Sequence, residues 1–348
     1  MAAYIALILL PSFFALLNPK RISLPAWVSV FLIYVFFVGL RYQVGPDWGQ
    51  YIQLHELSAD LDFNEITTLS EPLSYTLFWM SKKIGAHVYL TNIVAAIIML
   101  TGVYKFAKCT VNPWIAVLAA TPYFIIVVGM SGIRQAMAAG VILILLAKWK
   151  KISSLKHGGY IILASLFHTS ALVNSLFLIT RLRVKMFYKL FFGASILAIT
   201  IYLGSFLSVF SANFNRYEQS YIAQEGVASL GSLFHIAMIA IPAALGIVFR
   251  RRLAPYILRP QLLTFGIYAT IAVIAINFFS STAASRLTIY LYFIPMIVYP
   301  AFSYILGRRN LIIATTAIAL LHLVLLISWL QLANNAAAYL PYQNAIFQ

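Results

Sequence analysis

Apolar runs of nearly membrane-spanning length recur along the whole chain and restrict its fold more than any other feature. A helix crosses the hydrocarbon core of a bilayer with about 20 apolar residues. Ten runs approach this length, at residues 3–17, 24–40, 87–104, 112–130, 133–147, 187–209, 231–249, 261–280, 287–306 and 310–330. Only 9% of the 348 residues are charged and 62% are apolar, which does not suit the surface of a soluble protein. We therefore predict an all-α, polytopic protein with about ten transmembrane helices, in a single membrane domain over residues 1–348.

The positions of the basic residues predict the orientation. The net charge of +16 would suit nucleic acid, but the charges lie in short clusters between apolar runs, as cytoplasmic loops do under the positive-inside rule. We therefore expect no nucleic-acid partner. With the N-terminus outside, eighteen of the 24 basic residues fall inside, in clusters at 20–21, 105–108, 148–156, 181–189, 250–259 and 308–309.

Two segments do not fit a simple count of crossings. Residues 160–180 are apolar but carry basic clusters at both ends, so one crossing would place basic residues outside. A re-entrant helical hairpin that turns near His168 reconciles length with charge, provided that it is buried in protein or lines a cavity. Residues 71–83 are too short to span, and we predict a helix at the outer interface. The outer loops are then expected at about 41–71 and 210–230.

All eight acidic residues fall in these outer loops and none in a span. A proton relay or a cation path through the bilayer therefore has no carboxylate to use, which argues against an ion-coupled transporter. Asp60 and Asp62 form an Asp-x-Asp pair of the kind that can bind a divalent cation, but two carboxylates alone are a weak signal and solvated loop acids are the better explanation. Nucleotide-binding glycine loops, HExxH, Cys/His metal clusters and GxSxG are absent from the sequence. We predict no cofactor and no metal.

Four single arginines also fall outside, against the overall charge pattern: Arg41, Arg134, Arg216 and Arg286. Each either forms a structural ion pair or headgroup contact, or holds an anionic ligand through its two-pronged guanidinium. For all four together, a diphosphate at the outer surface is the better explanation. Arg134 is the best placed, because GMSGIRQ is typical of a helix start, where free amides favour an anion.

The candidates for proton transfer and sugar binding lie near the same face. Asp47 is predicted to be a general base or a sugar-hydroxyl acceptor, with an ion pair to Arg41 as its alternative. His168 is either an acid–base group or a hydrogen-bonded packing residue. The outer-loop aromatics Trp48 and Tyr217 are candidates for stacking on sugar rings, with a place in the interfacial aromatic belt as the default.

Five motifs in order resemble a known family: GLRYQVGPDWGQY (39–51), EPLSYTLF (71–78), SGIRQAMA (131–138), FHTSAL (167–172) and SRLTIYLYF (285–293). They are similar to the EpsG family of Wzy-type polymerases for bacterial exopolysaccharide and O-antigen, over about residues 30 to 310. The GPDW around Asp47 is a variant of that family's Gly-x-Asp pattern. The last forty residues carry no motif that we associate with the family.

The resemblance implies a GT-C-like enzyme of the bacterial cytoplasmic (inner) membrane, with its active site facing the periplasm or exterior. It would transfer a growing glycan from an undecaprenyl-diphosphate carrier to a lipid-linked repeat unit. Its partners would be undecaprenyl-diphosphate-linked oligosaccharides and the lipid bilayer, with a chain-length regulator and a flippase as candidate protein partners. Carried over by position, the candidate residues are Arg41, Asp47, Glu71, Arg134, His168 and Arg286, with Glu71 and Tyr290 added to the sugar contacts.

Several other functions are compatible with the sequence. A lipid-linked oligosaccharide flippase would bind the same diphosphate, but it needs a polar path that spans without acids do not offer. A glycan ligase, or an acyltransferase that modifies the polymer, would share the membrane location. A purely structural scaffold would not need single arginines outside.

Overall fold

A computed structural model shows an all-helical protein, with no β-strand among the residues that it describes. These residues are 1–17, 21–58, 60–179, 188, 230–257, 259–305, 310–333 and 335–348. The first half contains α1 (Ala2–Leu17), α2 (Leu24–Gly39), α3 (Trp48–Leu57), α4 (Phe63–Thr67), α5 (Pro72–Lys83), α6 (Tyr89–Ala107), α7 (Pro113–Ala120), a π-helix (Thr121–Val128), α8 (Ile133–Ala147), α9 (Ser154–Phe167), a 3-10 helix (Thr169–Ser175) and α10 (Leu176–Ile179). The second half contains α11 (Leu230–Val248), α12 (Arg250–Leu253), α13 (Pro260–Asn277), α14 (Ser281–Tyr290), α15 (Phe293–Ile305), α16 (Leu311–Leu332) and short 3-10 turns at Ala254–Tyr256, Ala336–Tyr339 and Ala345–Phe347.

The predicted apolar spans correspond to observed helices. Within the described residues, α6, α11, α13 and α16 are long and apolar enough to cross a bilayer, and α1, α2 and α8 are shorter apolar helices. The predicted span at 112–130 is α7 continued by the π-helix. The all-α, polytopic fold is therefore confirmed. Apart from residues 188 and 230, the predicted span at 187–209 and the outer loop at 210–230 lie outside the described residues, so the number of crossings stays a prediction.

One predicted span has different limits in the structure. The run at 287–306 is divided between α14 and α15, which meet at an angle of 56°. The break falls at Leu291 and Tyr292 because Pro295 has no N–H to donate to the carbonyl of Leu291, and its ring would clash there. The polar helix α14, which begins at Ser281, is thereby set apart from the apolar α15.

The segment at 160–180 folds back on itself, as predicted for a re-entrant hairpin. The helix α9 ends at His168, whose backbone is extended (φ −156°, ψ 124°), and the 3-10 helix and α10 follow. The Trp149 ring, just before α9, contacts both His157 in the first turn of α9 and Phe177 in α10, at centroid distances of 5.0 and 5.7 Å. With about 1.5 Å per residue, the 14 residues of α9 are shorter than the hydrocarbon core of about 30 Å. His168 is thus at the tip of the hairpin.

The interface helix predicted at 71–83 is α5, which packs against α3, α4, α6 and α9. Its buried side includes Ser74, whose hydroxyl donates to the carbonyl of Phe167 at 2.7 Å. Lys82, at its last turn, pairs with Glu56 of α3. The helices α3, α4 and α5 therefore form a small layer that is attached to the end of the hairpin.

The helices α6 and α8 approach each other closely through glycine. A Cβ atom placed on Gly140 would lie 2.8 Å from the Cα atom of Met99, and one on Gly102 would lie 2.3 Å from the carbonyl oxygen of Gly140. Both contacts are to backbone, so a flexible side chain cannot move aside. Small residues at such crossings allow membrane helices to pack tightly, and here they fix α8, which carries Arg134.

We expect Gly140→Ala to destabilise the protein by about 1–3 kcal/mol, because α6 and α8 must separate to admit the methyl group. Thermal unfolding of the purified protein in detergent measures the effect. Gly158→Ala is the matched control, since it is also helical but a Cβ atom there meets nothing within 4 Å. An equal change for both variants would contradict the proposed packing constraint.

Candidate active site

A cavity of about 410 Å³ opens at the end of the bundle where α8 and α11 begin and α16 ends. The predicted basic inner loops join the opposite ends of these helices. Four of the candidate residues line it together: Asp47, Arg134, His168 and Arg286. They come from four separate segments, namely the loop before α3, the first turn of α8, the hairpin tip and α14. A volume of this size falls within the range of small-ligand sites.

Gly45 sets the position of the loop that carries Asp47. Its φ angle is +96°, and a Cβ atom there would lie 2.0 Å from the carbonyl oxygen of Met130. Only glycine allows both this backbone conformation and this close approach. The loop consequently lies against the segment before α8, where the Ser131 hydroxyl donates to Oδ2 of Asp47 at 2.9 Å.

Asp47 is more easily protonated in this site than an exposed aspartate is in water. Burial raises the pKa of Asp47 above its ordinary value, and the hydrogen bond from Ser131 and the charges of Arg134, Arg286 and Arg41 only partly oppose this rise. A carboxylate with a raised pKa is a stronger base than an exposed one. Asp47 is therefore suited to accept a proton from a bound hydroxyl group.

Glu71 lies behind the cavity lining, buried, at the residue before α5. Its Oε2 accepts a hydrogen bond from Nη1 of Arg134 at 2.7 Å, and its Oε1 accepts one from the amide of Thr169 at 3.0 Å. Nδ1 of His168 lies 3.2 Å from the same Oε1. Burial alone would raise the pKa of Glu71, but the charges of His168 and Arg134 and the Thr169 amide outweigh it, so this pKa lies below its ordinary value.

Nδ1 of His168 has a hydrogen-bond partner whether or not it carries a proton. With a proton, Nδ1 can donate to Oε1 of Glu71 at 3.2 Å. Without one, it accepts from the amide of Ser170, also at 3.2 Å. The Ser170 hydroxyl, 3.1 Å from Nδ1, continues to the Tyr290 hydroxyl at 2.9 Å. Because neither state leaves Nδ1 unsatisfied, the ring can gain or lose a proton with little rearrangement.

The structure places other candidates away from the cavity lining. Arg41 is buried and donates from Nε to the carbonyl of Val44 and from Nη1 to that of Val38, at 3.1 and 2.9 Å. Arg41 therefore provides hydrogen-bond donors to backbone carbonyl groups at and just after the C-terminal end of α2. The Trp48 ring lies beside it, 5.8 Å from the guanidinium carbon. Tyr290, like Glu71, stands behind the lining and supports the hairpin tip.

The remaining candidates are outside this site. Arg216 and Tyr217 fall outside the described residues. Asp62 caps α4 together with Glu65, and both Asp60 and Asp62 are exposed. Within the described ranges, no three His, Cys, Asp or Glu side chains are grouped so that they could hold a metal ion.

The C-terminal segment also contributes to the site, which was not predicted from the sequence. Tyr339 lines the cavity, donates to the carbonyl of Val127 at 2.9 Å, and its own carbonyl accepts from the Tyr4 hydroxyl at 2.6 Å. Asn344 forms an antiparallel bridge with Arg41. His235 of α11 and Trp329 of α16 also line the cavity and were not predicted. The sequence signal for the segment is that polar and aromatic residues follow a last span that is predicted to end outside.

Comparisons with known proteins place these observations in context. The model of the EpsG family matches residues 26–344. No curated protein matches the sequence significantly. The crystal structure of ArnT from Cupriavidus metallidurans in the apo state is similar with a TM-score of 0.43 and 17% sequence identity, over 87% of this chain and 76% of that chain. A similarity of this size does not bear on function.

We expect Glu71→Gln to lower the free energy of unfolding at pH 7 by about 3 kcal/mol, because it leaves Arg134 without its buried counter-charge. The pKa of Glu71 is lowered in the folded state, so the ionised pair stabilises the protein fully above pH 4.5 and progressively less as the pH falls below it. Melting temperatures of both proteins in detergent at several pH values should therefore converge in acid. Glu56→Gln, at an exposed ion pair, is the control and should change little. A Glu71→Gln difference that is constant with pH would exclude a stabilising role for the charge.

Proposed function

The chain belongs to the EpsG family of Wzy-like polysaccharide polymerases and is a membrane glycosyltransferase, and from this premise we propose that it polymerises a lipid-linked glycan. It transfers a growing glycan from an undecaprenyl-diphosphate carrier onto a second lipid-linked repeat unit. The observation that carries the proposal is the meeting of Asp47, Arg134, His168 and Arg286 in one cavity. These groups supply the anion-binding and proton-accepting chemistry that such a transfer needs.

We propose that the reaction takes place at the outer face of a bacterial cytoplasmic membrane. The cavity opens where α8 and α11 begin and α16 ends. The clusters of basic residues lie at the other ends of the spans, which the positive-inside rule assigns to the cytoplasm. A diphosphate at this depth would lie near the headgroups, with its polyprenyl chain in the surrounding lipid.

Arg134 and Arg286 are proposed to bind the diphosphate. A guanidinium offers five N–H donors in a fixed plane, so Arg134 can keep its bond to Glu71 and still contact a phosphate. Hydrogen bonds from fixed cations stabilise the negative charge that grows on the leaving group, and in a site with little water this effect is large. Arg134 is held in position before the substrate arrives, which adds to the effect.

The chemical step requires one base. The hydroxyl at the non-reducing end of the acceptor unit attacks the anomeric carbon of the donor sugar. The bond from that carbon to the diphosphate oxygen breaks, and its electron pair leaves with the diphosphate. Asp47 accepts the proton of the attacking hydroxyl, and its raised pKa suits this role. His168, which also lines the cavity, is the alternative base.

A flippase, a glycan ligase and an acyltransferase remain competing functions for the same cavity. A flippase would have to pass the diphosphate across the bilayer. The sequence offers no carboxylate in the predicted spans, and the four candidate residues meet at one end of the bundle. Both observations support chemistry at one face. A chain-length regulator and a flippase are proposed as separate protein partners.

We expect Arg286→Gln to reduce the surface polysaccharide ladder to a single repeat unit when it replaces the wild-type protein in a deletion strain. Gel analysis of the extracted glycan, with membrane abundance measured in parallel, tests this. Arg251→Gln, an exposed residue of an inner basic cluster, should leave the ladder intact. Lipid-linked units that accumulate inside and fail to appear outside would indicate a flippase. Polymer that forms but is not attached to its final acceptor would indicate a ligase. A normal ladder for Arg286→Gln would exclude its role.

We expect Ser131→Ala to shift the acidic limb of the pH–rate profile to higher pH. The Ser131 hydrogen bond stabilises the Asp47 carboxylate and lowers its pKa, so its loss raises the pKa further, and more Asp47 is protonated at a given pH. Transfer of lipid-linked repeat units by purified protein, measured from pH 5 to 8, gives the profile. Ser131→Thr keeps the hydroxyl and is the control. An unmoved acidic limb would assign the base to a group other than Asp47.

A further inference from the structure

Two residues that line the cavity each contain a buried nitrogen atom without a hydrogen-bond partner. The atoms are Nε2 of His235, on α11, and Nε1 of Trp329, near the end of α16, and neither has a partner in the described part of the chain. Buried polar side-chain atoms in native proteins are nearly always hydrogen-bonded. Two exceptions in residues that line one cavity point to a bound ligand that provides the missing partners.

Both residues are held in place by aromatic neighbours on the π-helix side of the cavity. The His235 ring lies 4.4 Å from the Tyr123 ring, and the Trp329 ring meets Tyr339 edge-on at 4.8 Å. Tyr123 belongs to the π-helix, and Tyr339 is bonded to the carbonyl of Val127 in the same helix. π-helical turns are rare and occur frequently at functional sites. We call this part of the lining, formed by His235, Trp329, Tyr123 and Tyr339, the neutral wall.

The chemistry of the two nitrogen atoms indicates the class of ligand. The Nδ1 atom of His235 is engaged with the Ser285 hydroxyl at 3.1 Å, so in the neutral ring Nε2 is a donor or an acceptor according to which partner carries the proton. The Trp329 indole can only donate. A sugar hydroxyl both donates and accepts and therefore satisfies His235 in either tautomer, whereas an ionised phosphate oxygen only accepts.

The neutral wall begins one residue from the proposed diphosphate site. Ser285, which holds His235, directly precedes Arg286 on α14, and both line the cavity. A group bonded to a diphosphate at Arg286 would therefore lie in the same cavity as the neutral wall. We propose that His235 and Trp329 form a subsite for the hydroxyl groups of the sugar that is bonded directly to the lipid diphosphate. This subsite rests on the proposed function. It implies that the cavity recognises the sugar of the donor as well as the charged diphosphate.

The subsite predicts that His235→Phe and Trp329→Phe lose affinity for the sugar but not for the diphosphate. The two probes are bare undecaprenyl diphosphate and the undecaprenyl-diphosphate-linked repeat unit extracted from the host. Their dissociation constants are measured for purified protein in detergent, with Asp47→Asn in every variant so that no glycan is transferred. His322→Phe is the matched control, since this buried histidine bonds within α16 and packs on Tyr299, away from the cavity.

We expect each variant of the subsite to bind the repeat-unit lipid about tenfold more weakly, the effect of one lost hydrogen bond. Both should bind the bare diphosphate as their parent does, and His322→Phe should match the parent for both lipids. Unchanged affinity for the repeat-unit lipid in both variants would overturn the subsite, as would an equal loss for both lipids. Failure of the parent protein to bind either lipid would overturn the proposed function, and the subsite with it.

Discussion

The buried carboxylate of Glu71 joins three parts of the chain that the sequence keeps far apart. It stands at the start of α5, accepts a hydrogen bond from Arg134 in α8, and meets both Thr169 and His168 at the hairpin tip. An unpaired charge at such a site would be strongly destabilising, so these segments stay together only while each contributes its partner. The bond from Ser74 to Phe167 attaches α5 to the hairpin a second time. The position of the cavity edge depends on this junction.

The sequence predicts the helices well because their physical cause is local. Lipid requires runs of apolar residues, and the run at 87–104 becomes the helix Tyr89–Ala107. The hairpin at His168 was also predictable. The segment at 160–180 is long enough for only one crossing, but the basic clusters at its two ends are both expected on the cytoplasmic side. The bend between α14 and α15 has a cause, Pro295, that is visible in the sequence. The effect of a proline on a predicted span depends on whether neighbouring helices support a straight or a bent path.

The candidate site was predictable only through arginines that lie on the predicted outer side of the membrane, where the positive-inside rule leads us to expect few basic residues. That pattern selected Arg134 and Arg286, which line the cavity, but also Arg41, which binds the backbone carbonyls at the end of α2. Charge alone does not distinguish an arginine that binds a ligand from one that donates hydrogen bonds to the carbonyl groups at the end of a helix. Tyr339 was not predicted because its role arises from contacts with Tyr4 and Val127, which lie hundreds of residues away in the sequence. No local period or motif encodes contacts of that kind.

The charges around the cavity explain why a second kind of recognition would be useful. Arg134 is already opposed by Glu71, and Arg286 lies close enough to Asp47 to influence its ionisation. The two carboxylates therefore offset part of the positive charge in the cavity before any ligand binds. Under the proposed function this offset is favourable, because the released carrier retains the diphosphate and would inhibit a site that bound it too tightly. Substrate and released carrier then differ in the sugar, which is the group that the neutral wall is proposed to bind.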